Sequence, residues 1–330
     1  MSDGTSGGQD VLAGGRNDSA YNDASYDVVV VGEILVELAS DVPLADRVPL
    51  TLGVSGDVVN AAAAAAAAGA RTAVLARIAD DELGDVIEER LRALGIDTGL
   101  VRRVPGQQGA YVVHADPLGG REFVYLRRGS AGSTLSPEDV AGAGLEAAGA
   151  VLTTGVTAAL SESTRDAVLE VARRASCLVY DPNFRPRLTS PEEAAGILRT
   201  IAPRARVVTP AAPGESSLLL GTDDAHRAAR ILLGLGAEAA VVTRGAAGAV
   251  VADADGLREL PAVPAPALVD QTGAGDSLAG TLTARLVLGD SLDEAVRLGT
   301  AAASLVLGGR GGTGLVPTLE QVRGHLGALA

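Results

Sequence analysis

Lysine and tryptophan are missing from this chain of 330 residues, so all 27 of its basic residues other than histidine are arginine. The missing lysine excludes two widespread kinds of phosphate-transfer site. A Walker A loop needs a lysine on the nucleotide phosphates, and a protein kinase needs one on its third strand. Aromatic residues make up only 2% of the chain, so the core has to be built from alanine, valine and leucine.

Cysteine and histidine are also scarce. The single cysteine, Cys177, cannot form a disulfide within the chain, and its apolar neighbours indicate a buried thiol rather than a nucleophile. The three histidines form no cluster with it at metal-ligand spacing. This argues against a structural zinc site.

Positive charge is in deficit, with a formal net charge of −14. Like charge opposes association with nucleic acid or an anionic membrane, so we expect neither as a partner. Residues 1–26 are rich in glycine, serine, aspartate and asparagine and lack the basic start and apolar centre of a secretory signal. We therefore expect a disordered tail over 1–26 and a cytoplasmic protein.

What the chain has in abundance is apolar residues, at 47% of the total. Short apolar runs, typical of buried parallel strands, lie at residues 28–31, 72–78, 150–152, 178–180, 207–209, 240–243 and 249–251. Helical patterns lie between several of them, including an almost pure alanine stretch at 60–68. This alternation predicts an α/β fold with three layers, α/β/α, around a mainly parallel central sheet.

Two segments break the alternation, at about 33–52 and 108–128, where strand patterns follow one another without a helix. We expect them to form a small β-sheet inserted into a single main domain over 27–330. A small sheet beside the strand ends closes over a ligand like a lid.

The most informative segment is Asp-Gln-Thr-Gly-Ala-Gly-Asp-Ser at 270–277, followed by an apolar stretch at 278–288 that predicts a helix. Small residues at a helix start leave peptide N–H groups uncovered, and such a terminus suits a phosphate or an oxyanion. Asp276 stands beside this anion site, where a carboxylate takes the proton from a hydroxyl that attacks phosphorus. The alternative for Asp276 alone is a helix-terminal acid stabilised by the helix dipole.

These residues resemble the ribokinase-like, or PfkB, family of carbohydrate kinases, over nearly everything after residue 26. The family motif reads Asp-Thr-Thr-Gly-Ala-Gly-Asp, from which this chain departs at Gln271. The resemblance implies that Asp276 is the catalytic base. It also implies an anion hole formed by Gly273, Ala274 and Gly275.

A second segment, Ser-Gly-Asp-Val-Val-Asn at 55–60, resembles the other family signature, with Ser55 in place of its first glycine. By this resemblance Gly56, Asp57 and Asn60 hold the sugar. Glu37 falls where many members have a sugar-binding aspartate on the first lid strand. The alternative for Asp57 is a cap on the alanine helix.

The nucleotide-binding residues implied by the resemblance are Asn183, Thr243, Gly245, Gly248, Gly273 and Gly275. A plain β-turn is the alternative interpretation of 243–248 taken alone. Ala-Pro-Gly-Glu at 212–215 stands where the family usually has Asn-x-x-Glu, a motif tied to magnesium and phosphate. The resemblance therefore implies an indirect metal contact for Glu215. The implied cofactors are ATP and Mg²⁺. Asp270 and Gln271 lie where related kinases build a potassium site, which makes K⁺ a further candidate.

The substrate residues indicate a sugar acid, because arginine and tyrosine suit a carboxylate better than they suit a neutral sugar. Tyr-x-Arg-x-Gly-Ser-Ala at 125–131 and Asp-Pro-Asn-Phe-Arg-Pro-Arg at 181–187 resemble the 2-keto-3-deoxygluconate kinases of the family. By that resemblance the substrate is bound by Tyr111, Tyr125, Arg127 and Arg185. Arg187 is interpreted as structural.

We therefore expect ATP-dependent phosphorylation of the terminal hydroxyl of 2-keto-3-deoxygluconate, by a homodimer that pairs through the small sheet. The alternatives are a fructokinase or another hexose or pentose kinase, and a sugar-sensing protein without catalysis. A Rossmann-type oxidoreductase is disfavoured, because Gly32-Glu33 after the first strand is not a Gly-x-Gly-x-x-Gly fingerprint.

Overall fold

The computed structural model describes residues 25–114 and 123–329. Their strands are β1 (Val28–Val31), β2 (Leu35–Ser40), β3 (Thr51–Ser55), β4 (Thr72–Ala79), β5 (Val101–Val104), β6 (Ala110–His114), β7 (Phe123–Leu126), β8 (Ala150–Thr154), β9 (Leu178–Asp181), β10 (Val207–Val208), β11 (Ala240–Thr243), β12 (Ala249–Asp253) and β13 (Gly256–Leu260). Their α-helices are α1 (Asp57–Ala67), α2 (Glu82–Ala93), α3 (Pro137–Ala141), α4 (Gly155–Ala158), α5 (Glu162–Arg174), α6 (Pro191–Ile201), α7 (Gly214–Leu220), α8 (Ala225–Gly234), α9 (Ala274–Val287), α10 (Leu292–Val306) and α11 (Leu319–Gly327).

Nine strands form the central sheet, in the order β13-β12-β11-β10-β9-β8-β1-β4-β5. The sheet is parallel except at β12 and β13, which pair antiparallel. Strand β1 shows why both faces are covered, since Val29 and Val31 belong to one apolar core and Val28 and Val30 to another. A strand buried on both faces reads as a continuous apolar run. The predicted three-layer fold with a mainly parallel sheet is confirmed.

Four strands form a separate small sheet, here called the lid sheet, in the order β3-β2-β6-β7. Strand β2 pairs antiparallel with β3 and parallel with β6, and β6 pairs antiparallel with β7. The expected small sheet is therefore present. The expected tail over 1–26 falls almost wholly outside the described residues, as do residues 115–122 of the second lid segment.

Two helices approach each other unusually closely beneath the lid sheet. A Cβ atom placed on Gly280 of α9 would lie 2.0 Å from the carbonyl oxygen of Ala61 of α1, so this contact requires a glycine. Helix α1 is rich in alanine, and these small side chains let its backbone come close to α9. As a result, the N-termini of α1 and α9 lie side by side.

The seven predicted apolar strands all form, with ends that differ by at most two residues from the sequence pattern. The edge strands β5 and β13 were not predicted, because their sequences are polar and mostly half-exposed. Helix α9 begins at Ala274, four residues before the predicted start at 278. Within the described residues, no helix is long and apolar enough to cross a membrane.

Candidate active site

A cleft with a volume of about 1110 Å³ separates the carboxyl ends of the central strands from the lid sheet. Asp181 ends β9 and Thr243 ends β11, and both line this cleft from the central sheet. Glu37 and Tyr111 line it from the lid sheet, where they are direct neighbours on β2 and β6. The position at the strand ends is where α/β sheets bind ligands.

Asp276 lies in the first turn of α9, at the floor of the cleft. Its Oδ2 accepts a hydrogen bond of 2.8 Å from Nδ2 of Asn60, and its Oδ1 accepts one of 3.3 Å from Nδ2 of Asn183. Burial, followed by the negative charge of Asp57, raises the pKa of Asp276 to about 7. The two amide hydrogen bonds and the charge of Arg185 act in the opposite direction.

The start of α9 has the features of an anion site. Its first flanking residue, Gly273, has φ 82°, and no side chain caps the helix. A Cβ on Gly273 would lie 2.8 Å from Cα of Gly312, whereas a Cβ on Gly275 would meet open space. Gly273 is thus required by the backbone, and Gly275 leaves room for a ligand at peptide N–H groups that carry partial positive charge.

A glycine-rich loop contributes to the same site, and the sequence interpretation missed it. Asp270 accepts hydrogen bonds from the N–H and the hydroxyl of Thr272, at 3.0 and 2.9 Å, and from the N–H of Gly311 at 2.7 Å. Gly311 and Arg310 line the cleft. The signal in the sequence was five glycines among the seven residues 308–314.

A second carboxylate, Asp57, lines the cleft at the start of α1. Its Oδ2 accepts a hydrogen bond of 2.5 Å from the hydroxyl of Thr154. Thr154 also caps α4, since its hydroxyl accepts the N–H of Thr157 at 3.4 Å. Asp57 does not cap α1, because no side chain accepts a hydrogen bond from the N-terminal N–H groups of this helix.

Glu215 uses both of its carboxylate oxygens to bind backbone N–H groups of two different chain segments. Its Oε1 accepts the N–H of Phe184 at 2.5 Å, and its Oε2 accepts the N–H of Ala211 at 2.8 Å. Nearby, burial followed by the charge of Glu215 raises the pKa of Asp181 well above its ordinary value. No three His, Cys, Asp or Glu side chains of the described residues converge as a metal cage.

On the lid sheet, the hydroxyl of Tyr111 donates to the carboxylate of Glu37 and lies 2.9 Å from the hydroxyl of Ser55. Burial, with the charge of Glu37, raises the pKa of Tyr111 far above its ordinary value. Tyr125 stands at the rim, and the guanidinium of Arg127 lies 5.5 Å from the centre of its ring. The lid therefore offers hydroxyl, carboxylate and guanidinium groups together.

The arginines of the cleft have different surroundings. Arg127 forms an ion pair with the buried carboxylate of Glu33. Arg185 is exposed and donates to the carbonyl of Phe184 at 3.1 Å. Arg187 donates to the carbonyl of Phe123 at 3.0 Å and so joins the central domain to the lid.

Most of the predicted site residues are brought together. Those that line the cleft are Glu37, Gly56, Asp57, Asn60, Tyr111, Tyr125, Arg127, Asn183, Arg185, Glu215, Thr243, Gly273, Gly275 and Asp276. Ala274, Gly245 and Gly248 lie outside its lining. Gly248 has φ 83°, and a Cβ there would lie 2.1 Å from the carbonyl oxygen of Leu260, so the turn itself requires this glycine.

Comparison with known proteins gives concordant matches. The model of the pfkB family of carbohydrate kinases matches residues 25–319. The 2-dehydro-3-deoxygluconokinase of Thermoproteus tenax is 36% identical, over 93% of this chain and 96% of that protein. The 2-dehydro-3-deoxygalactonokinase of Haloferax volcanii is 29% identical, over 84% of this chain and 90% of that protein.

Solved structures share the fold. A protein of E. coli assigned as ribokinase II and solved with ATP and Mg²⁺ superimposes with a TM-score of 0.82. The match covers 92% of this chain and 100% of that one, at 23% identity. The large sheet with its smaller lid is therefore the ribokinase-like fold.

Proposed function

The chain belongs to the pfkB family of carbohydrate kinases and is an ATP-dependent sugar kinase, and on this premise we propose that it phosphorylates the terminal hydroxyl of 2-keto-3-deoxygluconate. The product is the 6-phosphate. The observation that carries the proposal is Asp276, a carboxylate beside an uncapped helix start, in one cleft with Arg127 and Arg185.

In the proposed reaction, Asp276 accepts the proton of the terminal hydroxyl as that oxygen bonds to the γ-phosphorus of ATP. The bond from the γ-phosphorus to the bridging β–γ oxygen breaks at the same time, and ADP leaves with that oxygen. A pKa near 7 suits this task, because such a carboxylate is largely ionised just above neutral pH yet still basic. Peptide N–H groups at Gly273, Ala274 and Gly275 stabilise the negative charge on the transferring phosphoryl group. Closure of the lid sheet keeps out water that would otherwise hydrolyse ATP.

The proposed substrate is an acid because the cleft offers arginine and tyrosine for a carboxylate. Arg185 is exposed in the cleft, and Tyr125 and Arg127 stand together at its lid side. Both curated relatives named above are called kinases of a deoxy sugar acid. Glu37 and Asp57 are proposed to bind sugar hydroxyls, together with Gly56, Asn60 and Tyr111.

We propose that ATP is bound along the ends of the central strands, with contacts from Thr243, Asn183 and the turn that contains Gly245 and Gly248. Mg²⁺ comes with the phosphates and neutralises their charge, and Glu215 acts on it only indirectly. We also propose K⁺ as an activator, bound at the loop in which Asp270 accepts the N–H of Gly311. The proposed place of action is the cytoplasm.

A homodimer through the lid sheet is also proposed. The face of this sheet that is turned away from the cleft exposes Leu52, Val124 and Leu126, which lie on β3 and β7. Val42, Leu44 and Leu50, in the connection between β2 and β3, extend the exposed apolar surface. Exposed apolar surface of this kind is typical of protein–protein contacts.

The test is ADP release by the purified chain with ATP and Mg²⁺, comparing 2-keto-3-deoxygluconate, fructose and ribose. A higher kcat/KM for the sugar acid supports the proposal. A preference for fructose would leave the kinase reaction in place and overturn the roles of Arg127 and Arg185. No ADP release with any of the three sugars would contradict the proposed substrate and favour a sensor or a different acceptor.

A further inference from the structure

We propose that Glu33 is a positioning residue for substrate selection, which holds the guanidinium of Arg127 ready for the carboxylate of the sugar acid. Neither residue pattern nor family signature singled out Glu33. This inference rests on the proposed function, because it assigns Arg127 to the substrate carboxylate. Glu33 itself does not line the cleft and acts through Arg127.

Glu33 is fully enclosed. It follows β1, its exposure is 1%, and its Oε1 accepts a hydrogen bond of 2.5 Å from the hydroxyl of Ser130. Its other oxygen, Oε2, is paired with a terminal nitrogen of Arg127. A charged carboxylate is rarely buried unless it is paired, so a glutamate at this position requires the partners that Ser130 and Arg127 provide.

Two neighbouring glycines make room for the side chain of Glu33, and a third makes room for its backbone. A Cβ on Gly109 would lie 2.9 Å from Oε1 of Glu33, and a Cβ on Gly132 would lie 2.5 Å from its Cγ. A Cβ on Gly56 would lie 3.0 Å from the carbonyl oxygen of Glu33. These three glycines lie on three separate passages of the chain between the central sheet and the lid sheet.

Glu33 lies on a further passage, from β1 to β2, so the described passages between the two sheets meet around it. Gln108 reinforces the junction, because its Nε2 donates to the carbonyl of Ile34 at 2.7 Å and its Oε1 accepts the N–H of Ala79 at 3.2 Å. The carboxylate is thus fixed to the rigid domain, while Arg127 comes from the end of the lid. The ion pair therefore sets the place of Arg127 relative to the catalytic floor.

Arg127 has binding capacity left after this pairing. Its side chain is 9% exposed, and its Nε–H is buried without a hydrogen-bond partner among the described residues. The side chain lines the cleft and is held against the ring of Tyr125. A guanidinium presents five N–H donors in a planar fork, so one carboxylate partner leaves donors for a second. In this proposal, the substrate carboxylate accepts from the N–H groups of Arg127 that face the cleft.

The test compares the full chain with Glu33→Gln, Arg127→Gln and the double variant, each assayed for kcat and for the separate KM values toward the sugar acid and toward ATP. The sugar acid is 2-keto-3-deoxygluconate. We expect Glu33→Gln to raise the KM for the sugar acid about tenfold, the scale of a hydrogen bond to a charged group, with the KM for ATP unchanged. In the Arg127→Gln background, Glu33→Gln should add nothing, because its effect passes through Arg127.

The control is Asp290→Asn, which makes the same carboxylate-to-amide change in a half-buried pair with Arg285, 2.7 Å apart, at the other end of α9. It should lower thermal stability and leave the KM for the sugar acid unchanged. Ser130→Ala removes only the hydroxyl bond to Glu33 and provides a milder variant, for which we expect about a threefold rise in that KM. This variant decides the matter where Glu33→Gln does not fold.

The outcomes separate the two proposals. If the parent uses the sugar acid and Glu33→Gln raises the KM for ATP equally, or acts fully in the Arg127→Gln background, Glu33 is only structural and the inference fails alone. An unchanged KM for the sugar acid in Ser130→Ala would also contradict the inference about Glu33. If the parent phosphorylates fructose and not the acid, the proposed function fails and the inference falls with it.

Discussion

Opposing influences act on the carboxyl group of Asp276. Burial and the charge of Asp57 favour the protonated form, whereas the amides of Asn60 and Asn183 favour the ionised form. The result is a pKa of about 7, well above the ordinary value of 3.8. The group that we propose as the base is therefore balanced between its two forms near neutral pH.

The pH dependence of catalysis follows from this balance. We expect kcat/KM for the sugar to rise with pH and to level off above an apparent pKa of about 7, because only ionised Asp276 accepts the proton. In the Asp57→Asn variant this rising limb should move to lower pH, whatever the absolute rate, since the neighbouring negative charge is gone. A limb that stays in place would show that Asp57 does not influence the base.

Replacement of Asp276 should lower activity and raise the stability of the folded chain above pH 7. We expect Asp276→Asn to lower kcat by about 10²–10⁴-fold, the usual range for a lost acid–base group. The folded chain binds the Asp276 proton more tightly than the unfolded chain, so stability falls as pH rises from 3.8 towards 7. An asparagine cannot ionise and escapes this loss.

The corresponding measurement is thermal unfolding at two pH values. We expect Asp276→Asn to raise Tm by about 1–2 °C at pH 8, the shift expected for roughly 1 kcal/mol in a chain of this length, and to change it little at pH 4. An equal change at both values would mean that ionisation of Asp276 is not the cause.

The residues that sequence reasoning found and missed differ in kind. Asp276 and Asn60 were found because each stands in a local motif, although their contact joins positions 216 residues apart and was not predicted. Glu33 and Thr154 were missed because their importance comes from partners distant in sequence. Arg127 was assigned to the substrate from its motif, and its pairing with Glu33 could be seen only in three dimensions.

Among the elements, the contact between α1 and α9 determines the site more than any other. It aligns two helix starts, so that Asn60 on one helix reaches Asp276 on the other. The sequence predicted both helices from their composition and periodicity. It could not predict their pairing, because alanine and glycine carry little information about which surface they touch.

This contact can be tested at its glycine. We expect Gly280→Ala to lower the free energy of unfolding by about 1–3 kcal/mol, the cost of overpacking, since the added methyl group meets the backbone at Ala61. It should also lower kcat by displacing Asp276. Urea unfolding and steady-state kinetics measure the two effects.

The matched control is Gly196→Ala in α6, where an added Cβ meets open space. This change should be neutral or should stabilise the chain by up to about 1 kcal/mol, because alanine is the better helix former. Similar results for the two variants would mean that the helices have room to separate.

At the scale of the whole molecule, the exposed apolar face of the lid sheet predicts self-association. Charge introduced there should oppose it, so we expect Leu126→Asp to shift a dimer towards monomer. Leu218→Asp is the control, because Leu218 is similarly exposed, at 53% against 56%, but lies on α7 of the central domain. Sedimentation velocity measures the outcome. A monomeric parent, or equal effects of both variants, would contradict a lid-mediated dimer.

The bond between Asn60 and Asp276 also has a consequence for biosynthesis. Its two ends emerge from the ribosome 216 residues apart, so the hydrogen-bonded pair forms only when nearly the whole chain has been made. A nascent chain that ends before residue 273 already contains both lid segments but lacks Asp276, the proposed base, and the proposed anion site at the start of α9. We therefore expect incomplete chains to be unable to consume ATP, and the catalytic centre to be among the last parts to assemble, as slow folding of non-local contacts also favours.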